Sequence, residues 1–176
     1  MSIIDQSAVR GPVRTAPFEE EPGFYEPAGL WLYGNVRLLN GSLAHVKQAC
    51  GEFYLQPSVM DAIEQEAECL VLDMKILVCG VHNAAHQRAA IVPLRWGSPR
   101  ILVLSGGFYH HLGKDLKQEP FRSARLWRYQ FDERTDLVIS RRAPDRLPTF
   151  AQNNATVDRL ILKMVNRQIA GLLFEG

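Results

Sequence analysis

Cysteine is scarce in this chain of 176 residues. Cys50, Cys69 and Cys79 are odd in number and show no C-x-x-C spacing, so they encode neither a disulfide framework nor a zinc site. A reducing compartment, the cytoplasm, is therefore expected. Long apolar runs are also missing. The longest, residues 69–81, is broken by Asp73 and Lys75 well short of the roughly 20 residues that a membrane-spanning helix needs. The first 14 residues contain no apolar stretch between a basic start and a cleavage site, which predicts no secretory leader. There is no P-loop, no G-x-S-x-G elbow, no pair of carboxylates and no internal repeat. Nothing in the chain demands catalysis, and the expectation is a non-enzyme without cofactor.

What remains is the composition of one globular domain, with 47% hydrophobic and 22% charged residues. The net charge of +1 hides an asymmetry. Up to Leu94 there are 6 Lys and Arg against 11 Asp and Glu; from Arg95 onward there are 14 against 8. A basic second half can meet phosphates if its arginines converge, or be solvated over separate faces if they do not.

Residues 1–26 hold Pro12, Pro17, Pro22 and Glu19-Glu20-Glu21 with few periodic apolar positions, and are expected as a flexible arm. The domain is placed at 27–176. Leu30-Trp31-Leu32-Tyr33 predicts an edge strand before Gly34, and residues 43–46 a second strand. Val59, Ile63, Ala67, Leu70 and Val71 recur at helical spacing behind Pro57, which predicts a helix over 58–73. Residues 75–79 and 100–104 are short apolar runs ending in glycine turns, the pattern of buried parallel strands. A helix is expected over 83–94, a strand over 137–140, a helix over 156–166 and a last strand at 172–174. Such alternation predicts an α/β fold of Rossmann-like three-layer α/β/α type, with a mostly parallel sheet and ligands at the strands' carboxyl ends.

In this order the chain also carries a series of phrases: PAGLWLYGNVRLLN from Pro27, VCGVHNAAHQRAA from Val78, then RILVLSGGF, DLVISRRAP and GLLFEG. Together they resemble the DprA (Smf) family of DNA-processing proteins, with Gly80 and His86 at the places of that family's strand, glycine turn and Ala-Ala-His helix. The resemblance implies a Rossmann-like domain that binds single-stranded DNA and assists a strand-exchange recombinase in recombination or natural transformation. The departures fall on the family's functional positions. Its Gly-Ser-Arg turn is Lys47-Gln48-Ala49 here, its glycine-rich turn is shortened to Cys79-Gly80-Val81-His82, and its Arg-Asn-Arg phrase is reduced to Val157-Asp158-Arg159. The family's closing turn, helix and strand are absent from this sequence. Each departure removes a donor or a positive charge from a phosphate cradle, and Asp158 adds a negative one.

Candidate nucleic-acid-binding residues are thus Lys47, Gly80, Gly106, Gly107, Arg141, Arg142, Arg146 and Arg159. Arg122, Arg125 and Arg128 with Phe121, Trp127, Tyr129 and Phe131 also mix charge with stacking surface, although the same pattern fits an amphipathic helix with its aromatics in the core. His82 and His86 have no acidic or cysteine residue spaced to complete a metal site, so no metal is expected, and His86 reads as a structural residue bonding a neighbouring loop. Ser140 needs a neighbouring base to act as a nucleophile. Two other functions stay open. One is a degenerate domain acting through protein contacts, pairing with itself or a related chain. The other is a nucleotide-binding or nucleotide phosphoribohydrolase-like protein, which requires an acidic residue beside a glycine-rich loop.

Overall fold

Apolar runs that stop at turn residues build one sheet: β1 (Gly23–Tyr25), β2 (Leu30–Gly34), β3 (Leu43–Ala44), β4 (Ile76–Gly80), β5 (Arg100–Leu104) and β6 (Leu137–Ser140). The computed structural model describes residues 21–49, 56–113, 116, 131–148 and 154–169. Among these residues the strand order is β1-β2-β6-β5-β4-β3. Strands β3 to β6 are parallel, whereas β2 runs antiparallel to β6 and β1 antiparallel to β2. The fold is α/β with a mostly parallel sheet, as the alternation predicts.

Both faces of the sheet are covered, which is why its strands are apolar at nearly every position. Leu77, Cys79, Leu102, Leu104 and Val138 point to one side and join the core beneath α1 (Pro57–Leu72), α2 (Ala84–Ala90) and α4 (Phe108–Leu112). Val78, Ile101, Val103, Leu137 and Ile139 point to the other, against α5 (Ala155–Val165), whose Val157, Leu160, Ile161 and Met164 recur at helical spacing. Sequential parallel strands laid down in one direction with right-handed crossovers keep α1 and α2 on the same face. Each fully buried Leu or Ile contributes roughly 1.5–3 kcal/mol.

Several boundaries differ from the sequence reading for local reasons. Gly23–Tyr25 form a strand within the segment expected as an arm, because the 3-10 turn Glu26–Ala28 folds them back on β2, with Phe24 against Trp31 at 5.1 Å. The helix expected over 83–94 breaks at Ile91 into α2 and a short α3 (Val92–Arg95), since Pro93 has no N–H to continue it. The strand expected over 43–46 pairs only at Leu43 and Ala44. At the end of β2, Gly34 has φ 120°, and a side chain there would run into the Asp136 carbonyl. The last strand expected, at 172–174, lies outside the described residues, as do residues 1–20. No described helix is long and apolar enough to cross a membrane.

Arg100 opens β5 with no solvent exposure and is held by Asp136, just before β6. Its Nε donates to Asp136 Oδ2 at 3.0 Å, its backbone N–H to Oδ1 at 3.2 Å and its Nη1 to the Ala90 carbonyl at 2.6 Å. This pair sits at the amino ends of the strands. One arginine of the basic half is therefore spent on the core, on the edge opposite the expected ligand side.

Candidate nucleic-acid interface

In the parallel register Gly80 lies beside Val103 and Leu104 beside Ser140, so β4, β5 and β6 end almost flush. The segments that follow them, 81–82, 105–107 and 141–148, leave the sheet along one edge. The first turn of α5 comes to the same edge. Its Asn154 caps the helix by accepting from the Val157 N–H at 3.2 Å, and a methyl added at Gly80 would lie 3.3 Å from Val157 Cγ1.

Among the described residues two depressions open here. The larger, about 870 Å³, is lined by the loop 141–147; among the described residues Arg141, Arg142 and Arg146 are its cations and Asp145 its one acid. The smaller, about 90 Å³, lies between that loop, Ser105 and the α5 residues Asn154, Thr156 and Val157. Arg141 and Arg142 line both. The loop is braced. Ser140 Oγ donates to the Gly106 carbonyl at 2.7 Å and accepts the Arg142 N–H at 3.0 Å, and Arg142 Nη1 donates to the Leu147 carbonyl at 2.8 Å. Ser140 is fully buried in this role, which ties two strand ends together and leaves its hydroxyl no route to solvent as a nucleophile.

The candidate residues thus separate into groups. Arg141, Arg142 and Arg146 are exposed and share one depression. Gly106 and Gly107 are at the same edge, but the proline loop closes over them: the Gly107 N–H donates to the Arg146 carbonyl at 2.8 Å, and a side chain at either glycine would strike Ala143, Pro144 or Pro148. The amide that would cradle a phosphate is occupied. The Gly80 N–H is likewise taken, donating to His86 Nδ1 at 2.9 Å. Lys47 is exposed after β3, its N–H bonded to Glu66 Oε2 at 3.2 Å, and Arg159 is exposed on α5; neither lines a depression with the three arginines. His110 contacts the Asp145 carbonyl through Nε2 at 3.0 Å, which ties it to the arginine loop. Arg122, Arg125 and Arg128, with Phe121, Trp127 and Tyr129, lie outside the described residues.

The chain is similar to a solved structure. The X-ray structure of DNA processing protein A (DprA) from Streptococcus pneumoniae aligns at 22% identity over 81% of this chain, with a TM-score of 0.48. The alignment spans 43% of that protein, less than half its length. No family model and no curated protein matches the chain.

One cluster was invisible to sequence spacing. Asp158, buried in the first turn of α5, reaches His86 Nε2 at 3.1 Å and His82 Nε2 at 3.4 Å. Together these supply three atoms of metal-ligand type within 4.8 Å of one another. Their geometry does not suit a cation. His86 Nδ1 accepts the Gly80 N–H, so its proton sits on Nε2 and is donated to Asp158, leaving that nitrogen no lone pair for a metal. The His82 and His86 rings also overlie each other, 4.3 Å between centroids and 36° between planes, rather than diverging from a common point. Burial holds His86 below the usual histidine value, against the pull of Asp158, which favours this neutral form. His82 is different: its side chain is 2% exposed and neither ring nitrogen has a hydrogen-bond partner.

Proposed function

We propose that this chain is a non-catalytic module that holds single-stranded DNA by its phosphates at the carboxyl edge of the sheet. The observation that supports it is the gathering of Arg141, Arg142 and Arg146 around one open depression. Guanidinium groups pair with phosphate oxygens in a fixed fork, and several such contacts add up along a strand. A concavity of about 870 Å³ has the size of an ordinary ligand site, which suits a short stretch of single strand better than a rigid duplex. The occupied amides of Gly80 and Gly107 argue against a glycine-cradled nucleotide and, with it, against the phosphoribohydrolase reading. The DprA-like phrases point to the same ligand class and to a strand-exchange recombinase as partner, in the cytoplasm.

Titration of labelled single- and double-stranded oligonucleotides at low and high salt tests this reading. Tighter binding of the single strand, weakening steeply with salt, is the expected result. No binding of either form at low salt rejects it.

A reading through protein contacts draws on β1. Among the described residues it is the outermost strand on its side of the sheet, and Phe24 on it is 42% exposed. Self-pairing along that strand would cover it. Sedimentation showing only monomer at high concentration argues against that mode.

A further inference from the structure

Four consecutive carbonyls of the arginine loop are bonded to the fold. Pro144 accepts the Tyr109 N–H at 3.0 Å, Asp145 the His110 Nε2–H at 3.0 Å, Arg146 the Gly107 N–H at 2.8 Å and Leu147 the Arg142 Nη1–H at 2.8 Å. A backbone held at each of these residues displays its side chains in a fixed arrangement, and Asp145, Arg146 and Leu147 are all exposed. Leu147 is 64% exposed, a large apolar surface on the lining of a depression otherwise rich in charge. Asp145 stands on the same lining with three arginines, yet among the described residues its carboxylate forms no ion pair with them. A carboxylate in this place weakens the hold on phosphate. The arginines alone therefore do not define what the depression receives.

We propose that Asp145 selects the base: its carboxylate accepts hydrogen bonds from the Watson–Crick edge of a guanine whose neighbouring phosphates lie on Arg141 and Arg146, while Leu147 packs on the face of the ring. Arg142 is left to brace the loop. An ionised carboxylate only accepts, and it offers two oxygens side by side. Guanine presents two adjacent donors to them, the ring N–H and the exocyclic amine. Cytosine and adenine each set one amine beside an acceptor nitrogen, and thymine sets its single N–H between two carbonyl oxygens that the carboxylate repels. These edges are free in a single strand, where a protein can read them, and are concealed by pairing in a duplex. Guanine is therefore the preferred occupant and thymine the least favoured. The inference rests on the single-strand reading above and adds to it the base that the site prefers.

The test measures binding of three labelled strands to the full chain: oligothymidylate, and the same strand with two central thymidines replaced by deoxyguanosine or by deoxyinosine, which lacks the exocyclic amine. The wild type should bind the guanine strand roughly fivefold to tenfold more tightly than oligothymidylate, toward the lower end of what one bidentate base contact discriminates. The inosine strand should lose most of that gain. Salt should weaken all three alike, because their phosphates are equal in number. Asp145→Ala should bind oligothymidylate roughly twofold to fivefold more tightly than the wild type, the effect of removing one unit charge at close range in water, and should no longer distinguish guanine from thymine. Equal wild-type affinity for the guanine and inosine strands overturns the proposal, and so does a guanine preference that Asp145→Ala retains. Guanosine monophosphate separates this failure from failure of the reading beneath it. Its binding to the wild type and not to Asp145→Ala, with no strand bound by either, supports the guanine contact and overturns the single-strand reading. No binding of any strand or of the monophosphate overturns both.

Discussion

Replacing Asp136 with Asn removes one charge from the most deeply buried ion pair described in this fold while keeping the shape of the side chain. Arg100 is wholly shielded from solvent, and Asp136 is its anionic partner, bonded through both carboxylate oxygens. Burial pushes the Asp136 carboxyl up and the Arg100 charge holds it back, so the pair persists only while both members are present. With Asn at 136 the guanidinium keeps the Ala90 carbonyl but loses its counter-charge. An uncompensated buried charge of this kind costs about 3–5 kcal/mol. For a domain of this size that corresponds to a fall in Tm of roughly 6–20 °C, at about 2–4 °C per kcal/mol. Urea and thermal unfolding followed by circular dichroism measure it. The double change Arg100→Met with Asp136→Leu should recover much of the loss, because apolar packing replaces both charges together. A loss under about 1 kcal/mol for Asp136→Asn, or a double variant as unstable as the single, refutes the reasoning.

Three other substitutions probe local features. Gly80→Ala puts a methyl 2.6 Å from His82 Nδ1 and should destabilise by about 1–3 kcal/mol, with partial recovery in a His82→Ala background, both measured by urea unfolding. Met74, 85% exposed with φ 64°, holds the left-handed position after α1 that glycine adopts freely, so Met74→Gly should stabilise by roughly 0.5–1 kcal/mol in the same assay. Glu64 is held below the usual carboxylate value by hydrogen bonds first from Arg95 and then from Arg88. Its contribution is thus present above the unfolded-state value and is lost as pH falls through the lowered folded one. Glu64→Gln should cost under about 1 kcal/mol near neutral pH, shrinking in high salt and on acidification, as paired melts will show.

The sheet was legible because its strands are short, apolar and stopped by turn residues; residues 137–140 are bounded as the pattern indicates. The breaks at Ile91 and at Tyr25 depend on where one proline falls and on how a three-residue turn points the chain, which periodicity does not encode. The arginines after β6 could be named from the rule that ligands meet strand carboxyl ends. Their braces could not, since Ser140 meets Gly106 across 34 residues of sequence and Asp158 meets His86 across 72. Glycines 106 and 107 looked like a phosphate turn because glycine marks any close approach of chain; here the approaching group is the loop 143–148. The charge count could not distinguish Arg100 in the core from Arg141 at the surface.

The salt dependence of oligothymidylate binding by Arg141→Gln/Arg146→Gln against the wild type addresses the central claim most directly. These two side chains line the depression, while Arg142, which holds the loop through the Leu147 carbonyl, is left in place. At about 0.7 per phosphate contact on a single strand, the slope of log K against log salt should flatten by roughly 1.4 as affinity falls. A variant that keeps its fold and binds with the wild-type affinity and slope contradicts the account.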